Sequence, residues 1–359
     1  MIKEDLENRN LPNFFKFNNN ELVKNEKDWE NRKSEIKQIL CNEEYGYFPE
    51  NHVPITTKLL NEDIHYCGGN ATLKKLLLTM HLKQGTFSFP INIAIPKNIV
   101  PCPAFLYISF YREFPNKYLP VEEICDKNFA VISFCYEDVS SDNDDFSNGL
   151  SYFFNIDNNN RNFGKILIWS WAAMHIMDYI QTLPEVNKDN IAIVGHSRLG
   201  KTALLTGAFD TRFKFTISND SGQSGASISR DKIGERVKDI CDRFPFWFCN
   251  NYSKYSNNET SLPFDQHYLL SLIAPRYLYI SSASDDSWAD WKSEFLCGLA
   301  TNPIYDLYNK KGLIYNKNSY PNPQEKFHNG YIGYHLRHGW HYLSRYDWNL
   351  FIEYINSKM

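Results

Sequence analysis

The pattern of hydrophobic and polar positions changes rhythm near residue 103. Before it, Lys27–Leu40 sets Trp29, Ile36 and Leu40 at helical spacing with charges between them, which predicts a surface helix packed on the body. Ala71–Leu82 and Phe87–Ile95 alternate or run apolar on either side of Gly85, the pattern of an antiparallel hairpin, expected at a sheet edge. From residue 103 the short runs PAFLYISF, FAVISFCY, NIAIVG, KFTISN and RYLYISS are rich in β-branched and aromatic residues. Helical stretches lie between most of them, at Ile166–Thr182, Arg198–Phe209 and Asp265–Leu272, and Trp291–Leu299 follows the last. Strands apolar on both faces that alternate with helices predict an α/β protein with a doubly wound, mostly parallel sheet in a three-layer sandwich. The expected organisation is a single catalytic domain over residues 1–359, with 1–100 as an N-terminal helix and edge-strand decoration and 101–359 as the core. There is no internal repeat, and the Asn-rich stretches Asn18–Asn20, Asn158–Asn160, Asn250–Asn251 and Asn257–Asn258 predict surface loops.

Composition narrows the function classes. A hydrophobic content of 43% supplies a sizeable core and rules out wholesale disorder. With 38 Lys+Arg against 42 Asp+Glu, the net charge of -4 gives no general attraction to phosphate backbones or anionic lipid, so nucleic acid is not an expected partner. The most apolar stretch, Ile166–Met177, ends at Asp178 and is too short to span a bilayer, so no membrane partner is expected either. The opening MIKEDLENRNLPNFFKF lacks the basic and apolar regions of a secretory signal, which predicts a cytoplasmic protein or one whose leader has been removed. Eight Cys are scattered with no CxxC pair, a pattern of reduced core thiols and not of a zinc site or a disulfide framework.

The sharpest local signal is IAIVGHSRLGKTALLTGAF, Ile191–Phe209. An apolar strand ends at Gly195, Ser197 follows, and a helix begins at once, as in a nucleophile elbow that lifts a serine hydroxyl above the sheet. The helix N-terminus then offers amide donors to a developing oxyanion. Position 199 is Leu, and the second glycine falls one later, at Gly200. A serine nucleophile needs a base, and the base needs an orienting carboxylate. His341, in GYHLRHGWHYLSRYDW ahead of a final helix, has the required place in the chain order, with His335 and His338 as neighbouring alternatives. Asp220, after KFTISN, and Asp285 or Asp286, after YLYISS, are the candidate acids. Three nearby His also raise a metal site, but no second group of Cys, Asp or Glu has ligand spacing, so no metal is expected.

These motifs resemble the glucuronoyl esterases of carbohydrate esterase family 15 in their bacterial form, an α/β-hydrolase family. GHSRLGK, Gly195–Lys201, is similar to the family's G-C-S-R-x-G-K, with His196 in place of Cys. SNDSGQSGASISR, IGER, FPFWFCNNYSKY, LPFDQHYLLSLIAPR, SASDDSWADWKSEF, EEYGYFPE, YEDVSSDNDDF and WSWAAMHIMDYI also have family counterparts, spread through most of the chain. The resemblance implies Ser197 as nucleophile, His341 as base and then acid, and Arg198 as a contributor to the oxyanion hole. It implies Lys201, Glu235 and Trp288 at the sugar. Many members use a Glu aligned with Asp220, one methylene longer, and others an acid aligned with Asp286, so both stay open. LYISFYREFPN and Trp291 in WADW depart from the common family pattern and predict an altered site entrance.

The implied reaction is hydrolysis of esters between (4-O-methyl-)glucuronic acid and an alcohol, as in lignin–glucuronoxylan linkages, through a glucuronoyl-serine intermediate and with no metal or organic cofactor. A carbohydrate partner, a monomeric state, and a secreted or periplasmic location go with it. Two rival expectations are a carbohydrate acetyl esterase of the acetylxylan type on the same fold, and a non-catalytic carbohydrate-binding relative.

Overall fold

Along the strand Cys102–Ser109, Ala104, Leu106 and Ile108 enter one apolar layer while Phe105 and Tyr107 enter another. Both faces of such a strand need a cover, and the chain supplies helices to each. The computed structural model describes residues 2–49, 53–154 and 162–359. Its strands are β1 Ile55–Asp63, β2 Ala71–Leu82, β3 Gly85–Pro96, β4 Cys102–Ser109, β5 Ala130–Cys135, β6 Val186–His196, β7 Phe215–Asn219, β8 Tyr277–Ala283, β9 Lys326–Phe327 and β10 Ile332–Arg337. They form one sheet in the order β1-β2-β3-β5-β4-β6-β7-β8-β10-β9. The central block β5-β4-β6-β7-β8-β10 is parallel, and β1, β2, β3 and β9 are added antiparallel at its two sides.

The first apolar layer is covered by α1 (Glu26–Leu40), α3 (Lys165–Ile180), α4 (Arg198–Phe209), α5 (Gln266–Ser271) and α6 (Trp291–Ala300); the second by α2 (Val121–Asp126) and α7 (Arg345–Asn356). α1 buries Trp29, Ile36 and Leu40 as its spacing requires, and also Arg32, whose guanidinium is held by the Phe14 carbonyl at 3.2 Å and by Glu35 at 2.5 Å. Among the described residues no helix is long and apolar enough to cross a membrane. All eight Cys are free thiols, six of them buried, and burial pushes Cys41 and Cys125 up to about 12, which keeps them inert.

One expected placement is corrected. The hairpin β2–β3 is not at the sheet edge, because β1 pairs outside β2. β1 has no clean alternation to announce it: its register shifts between Leu59 and Asn61, and the adjacent Leu59 and Leu60 both stay exposed. Asn18–Asn20 and Asn257–Asn258 are exposed turns, Asn250 opens a short 3₁₀ helix that runs to Tyr255, and Asn158–Asn160 lie outside the described residues. The carboxyl ends of β6, β7, β8 and β10 lie side by side in the sheet, and the loops that leave them carry nearly all the candidate chemistry.

Candidate active site

Between β6 and α4 the chain turns at Ser197, which sits at φ 57°, ψ -129°, a conformation an L-residue holds only under constraint. The constraint is visible on both sides. The Ser197 amide donates to the Asn219 carbonyl at 2.9 Å, and the Ser197 carbonyl accepts from the amides of Gly200 and Lys201. A Cβ on Gly195 would lie 1.9 Å from the Leu199 carbonyl oxygen, so the turn admits no side chain there. Gly200 packs where a Cβ would come 3.0 Å from Ser221 Cβ, while Leu199 is buried in the apolar layer. The second glycine is therefore placed by helix–loop packing, which accounts for its shift by one position. Gly195→Ala is expected to cost at least about 2 kcal/mol of unfolding free energy, as overpacking against backbone does; urea denaturation measures it.

His341, in the loop after β10, meets Asp286, in the loop after β8: Nδ1 and Oδ2 are 2.6 Å apart. Asp286 is buried and also accepts from the Ala289 amide at 3.0 Å. Burial alone would raise its pKa, but the hydrogen bond and charge of His341 outweigh this and hold the carboxyl below the usual range. Asp220 lies just after β7, buried at φ 43°. Its Oδ2 takes Arg337 Nη2 at 3.1 Å and the Tyr342 amide at 3.5 Å, while its Oδ1 has no partner among the described residues. Burial pushes this carboxyl well up, against the pull of Arg337. Polar atoms of Asp220, Asp286 and His341 all lie within 4.8 Å of one another, so both candidate acids reach the base, but only Asp286 hydrogen-bonds it. The same trio is a conceivable donor set for a cation; its members are instead already engaged, Asp286 with His341 and Asp220 with Arg337.

Of the alternative residues, His335 is buried in β10 with Nε2 on Asp347 at 2.8 Å and Nδ1 on the Tyr279 hydroxyl at 2.9 Å, while His338 and Asp285 are exposed. Among the described residues Ser197 Oγ makes no hydrogen bond, so the nucleophile–base contact is open, as is common before substrate binds. The two groups are linked through His196, next to Ser197, whose ring centroid is 4.5 Å from that of His341. His196 Nδ1 is 2.6 Å from Asn219 Oδ1, and Asn219 Nδ2 donates to Ser281 Oγ at 2.9 Å. The Asn219 oxygen must therefore accept, which puts the His196 proton on Nδ1. Burial and the neighbouring His341 push His196 down to about 3, so it stays neutral.

Arg198, the first residue of α4, lies over Trp247 at 4.6 Å, Phe244 at 5.2 Å and Phe110 at 5.8 Å. Its Nη1 donates to Asp142, which also accepts from Trp247 Nε1 at 2.7 Å and the Tyr136 hydroxyl at 3.0 Å. Arg198 Nε is buried without a partner among the described residues, a donor left uncommitted beside the elbow. The clamp of Asp142 and Trp247 is legible in the sequence only as parts of YEDVSSDNDDF and FPFWFCNNYSKY, with nothing to say that the two meet. Lys201 is buried, and its Nζ reaches the Ser221 carbonyl at 2.7 Å, the Gln223 carbonyl at 2.5 Å and Glu235 Oε2 at 2.8 Å. All three ammonium donors are thus used within the protein, and Lys201 serves to fix Glu235. The Glu235 amide donates to the Trp288 carbonyl at 2.8 Å, and the Trp288 ring is 40% exposed under the Arg243 guanidinium at 5.0 Å.

The family model described as glucuronyl esterase, fungi, matches residues 78–309. A carbohydrate esterase, MZ0003, from an unknown prokaryotic organism is 32% identical over 94% of this chain and 87% of its own length. A 4-O-methyl-glucuronoyl methylesterase of Schizophyllum commune is 28% identical over 83% of this chain and 74% of its own. Two solved structures superpose with TM-scores of 0.87 at 30% identity and 97% coverage of both chains: a promiscuous CE15 esterase from a marine bacterial metagenome and a glucuronoyl esterase from Solibacter usitatus. The extent of these matches shows that the chain belongs to the glucuronoyl esterases of carbohydrate esterase family 15.

Proposed function

We propose that the chain is a serine carboxylic ester hydrolase that cleaves esters of (4-O-methyl-)glucuronic acid with alcohols, with Ser197, His341 and Asp286 as its triad. The observation that carries the assignment is the 2.6 Å contact of Asp286 with His341 Nδ1 beside a serine held at φ 57°. Asp286 holds the proton of His341 on Nδ1, which leaves Nε2 a lone pair for the Ser197 hydroxyl proton. Ser197 Oγ attacks the C6 carbonyl of the uronate. Arg198, with the amides that head α4, stabilises the oxyanion where charge develops. The alcohol leaves with the proton from His341, and water activated by the same imidazole releases the acid and regenerates Ser197. Asp220 contributes a second acidic group at the base. Glu235, fixed by Lys201, and the exposed face of Trp288 form the sugar side of the site. No step calls for a cofactor. The substrate is a polymer outside cells, so a secreted or periplasmic location belongs to the same proposal.

Polar groups built to meet sugar hydroxyls reject analogues that lack them. Purified protein is expected to hydrolyse methyl or benzyl glucuronate with kcat/KM at least about 10²-fold above that for an aryl acetate. The reverse ranking would make it an acetyl esterase on this fold, and binding of glucuronoxylan fragments with no turnover of any uronate ester would make it a carbohydrate-binding relative.

A further inference from the structure

The loop that carries His341 is folded around one buried group. Arg337 is the last residue of β10. Its Nη1 donates to the His338 carbonyl at 3.1 Å, and its Nη2 to the Trp340 carbonyl at 2.7 Å and to the Tyr342 carbonyl. Three carbonyls from five consecutive residues thus converge on one planar cation, and His341 lies between the last two. The guanidinium also meets two buried carboxyl groups. Asp220 meets Nη2 at 3.1 Å, and Asp347, in the first turn of α7, meets Nε at 3.1 Å. Asp347 is itself fixed by the Ser344 amide and hydroxyl, each at 2.7 Å, and by His335 Nε2 at 2.8 Å.

We propose that Arg337 is a positioning residue for the esterase reaction, acting through the backbone of residues 338–342 to hold the His341 imidazole where Ser197 can use it. The proposal rests on the reading of His341 as the base. His341 needs such support: its side chain is 39% exposed and its hydrogen bond to Asp286, the one it makes among the described residues, fixes the rotation of the ring but not the place of the backbone that carries it. A planar guanidinium reaches these carbonyls and carboxylates from three nitrogens, Nη2 sharing its two N–H groups among the Asp220, Trp340 and Tyr342 oxygens; a lysine ammonium keeps the charge but loses the geometry. Gly339 fits the same picture. It sits at φ 109° and leaves room for the cation, since a Cβ there would come 3.2 Å from Arg337 Nη1.

The test compares Arg337→Lys and Gly339→Ala with the native protein on methyl glucuronate. A misplacement of about an ångström at the base costs on the order of 10²-fold, so Arg337→Lys is expected to lose about 30- to 100-fold in kcat, and Gly339→Ala about 10-fold, with KM changed by no more than about twofold. Labelling of Ser197 by a fluorophosphonate, which needs the activated hydroxyl and not the sugar, should slow in parallel. A lowered melting temperature with kcat and labelling rate within about twofold of native in both variants would mean a purely structural role and overturn the proposal. Should Arg337→Lys fail to fold, Gly339→Ala, which leaves every buried charge paired, decides alone by the same kcat criterion. If the native protein itself fails to cleave the uronate ester, the functional reading falls instead, and the labelling rates of the variants still report on the loop.

Discussion

Ser197→Ala is expected to remove turnover of methyl glucuronate, lowering kcat by about 10⁴- to 10⁶-fold, the range seen when a serine nucleophile is taken from an otherwise intact triad. The variant should remain folded. Alanine adds nothing that the turn must accommodate, and the hydrogen bonds that shape the elbow are made by the backbone of residue 197 and not by its hydroxyl. Substrate should still bind, since Glu235 and Trp288, the groups proposed for the sugar side, are untouched. Initial rates measured beside a thermal melt separate lost chemistry from lost structure. Activity within tenfold of native would mean that another group attacks the ester and that the strained backbone at 197 has a different cause.

The second large effect concerns the two acids. Asp286→Asn is expected to lower kcat by about 10³- to 10⁴-fold, because an amide nitrogen facing Nδ1 stabilises the tautomer with its proton on Nε2, which cannot accept from serine. Asp220→Asn should cost far less, about tenfold or below. Burial already drives Asp220 toward its neutral form, and what the carboxylate meets is Arg337 and the Tyr342 amide, not the imidazole. A larger loss at Asp220 than at Asp286 would reverse the assignment. The pH dependence follows in sign. The folded-state pKa of Asp286 is depressed, so its contribution to stability is present above the unfolded value of about 4 and is lost as pH falls through the folded value. Loss of the Asp286 charge is therefore expected only below a pH of about 4, which a pH–stability profile checks.

Much of the fold was legible because it is written in local periodicity. The runs at β4, β5, β6, β7 and β8 are apolar on both faces, as a strand between two helical layers must be, and α3 and α4 fall between the strands that the pattern separates. β1 was not legible: a bulge breaks its alternation and its leucines face solvent. The elbow was readable at Gly195 and Ser197, while the glycine at 200 made sense only once its contact with Ser221 was in place. Family resemblance implied Lys201 at the sugar, but its three internal contacts, which make it the anchor of Glu235, depend on residues 20 to 34 positions further along the chain.

Taken by itself, the chain determined an α/β sheet, a serine on a sharp strand-to-helix turn and a histidine near its far end, because each of these follows from residues within a few positions of one another. Only the tertiary structure decided which carboxylate meets that histidine, since Asp220 and Asp286 lie 121 and 55 residues from His341 and their loops are brought together by the order of β7, β8 and β10 in the sheet. The choice then falls to burial and direction: Arg337 takes the first carboxylate, and the imidazole takes the second.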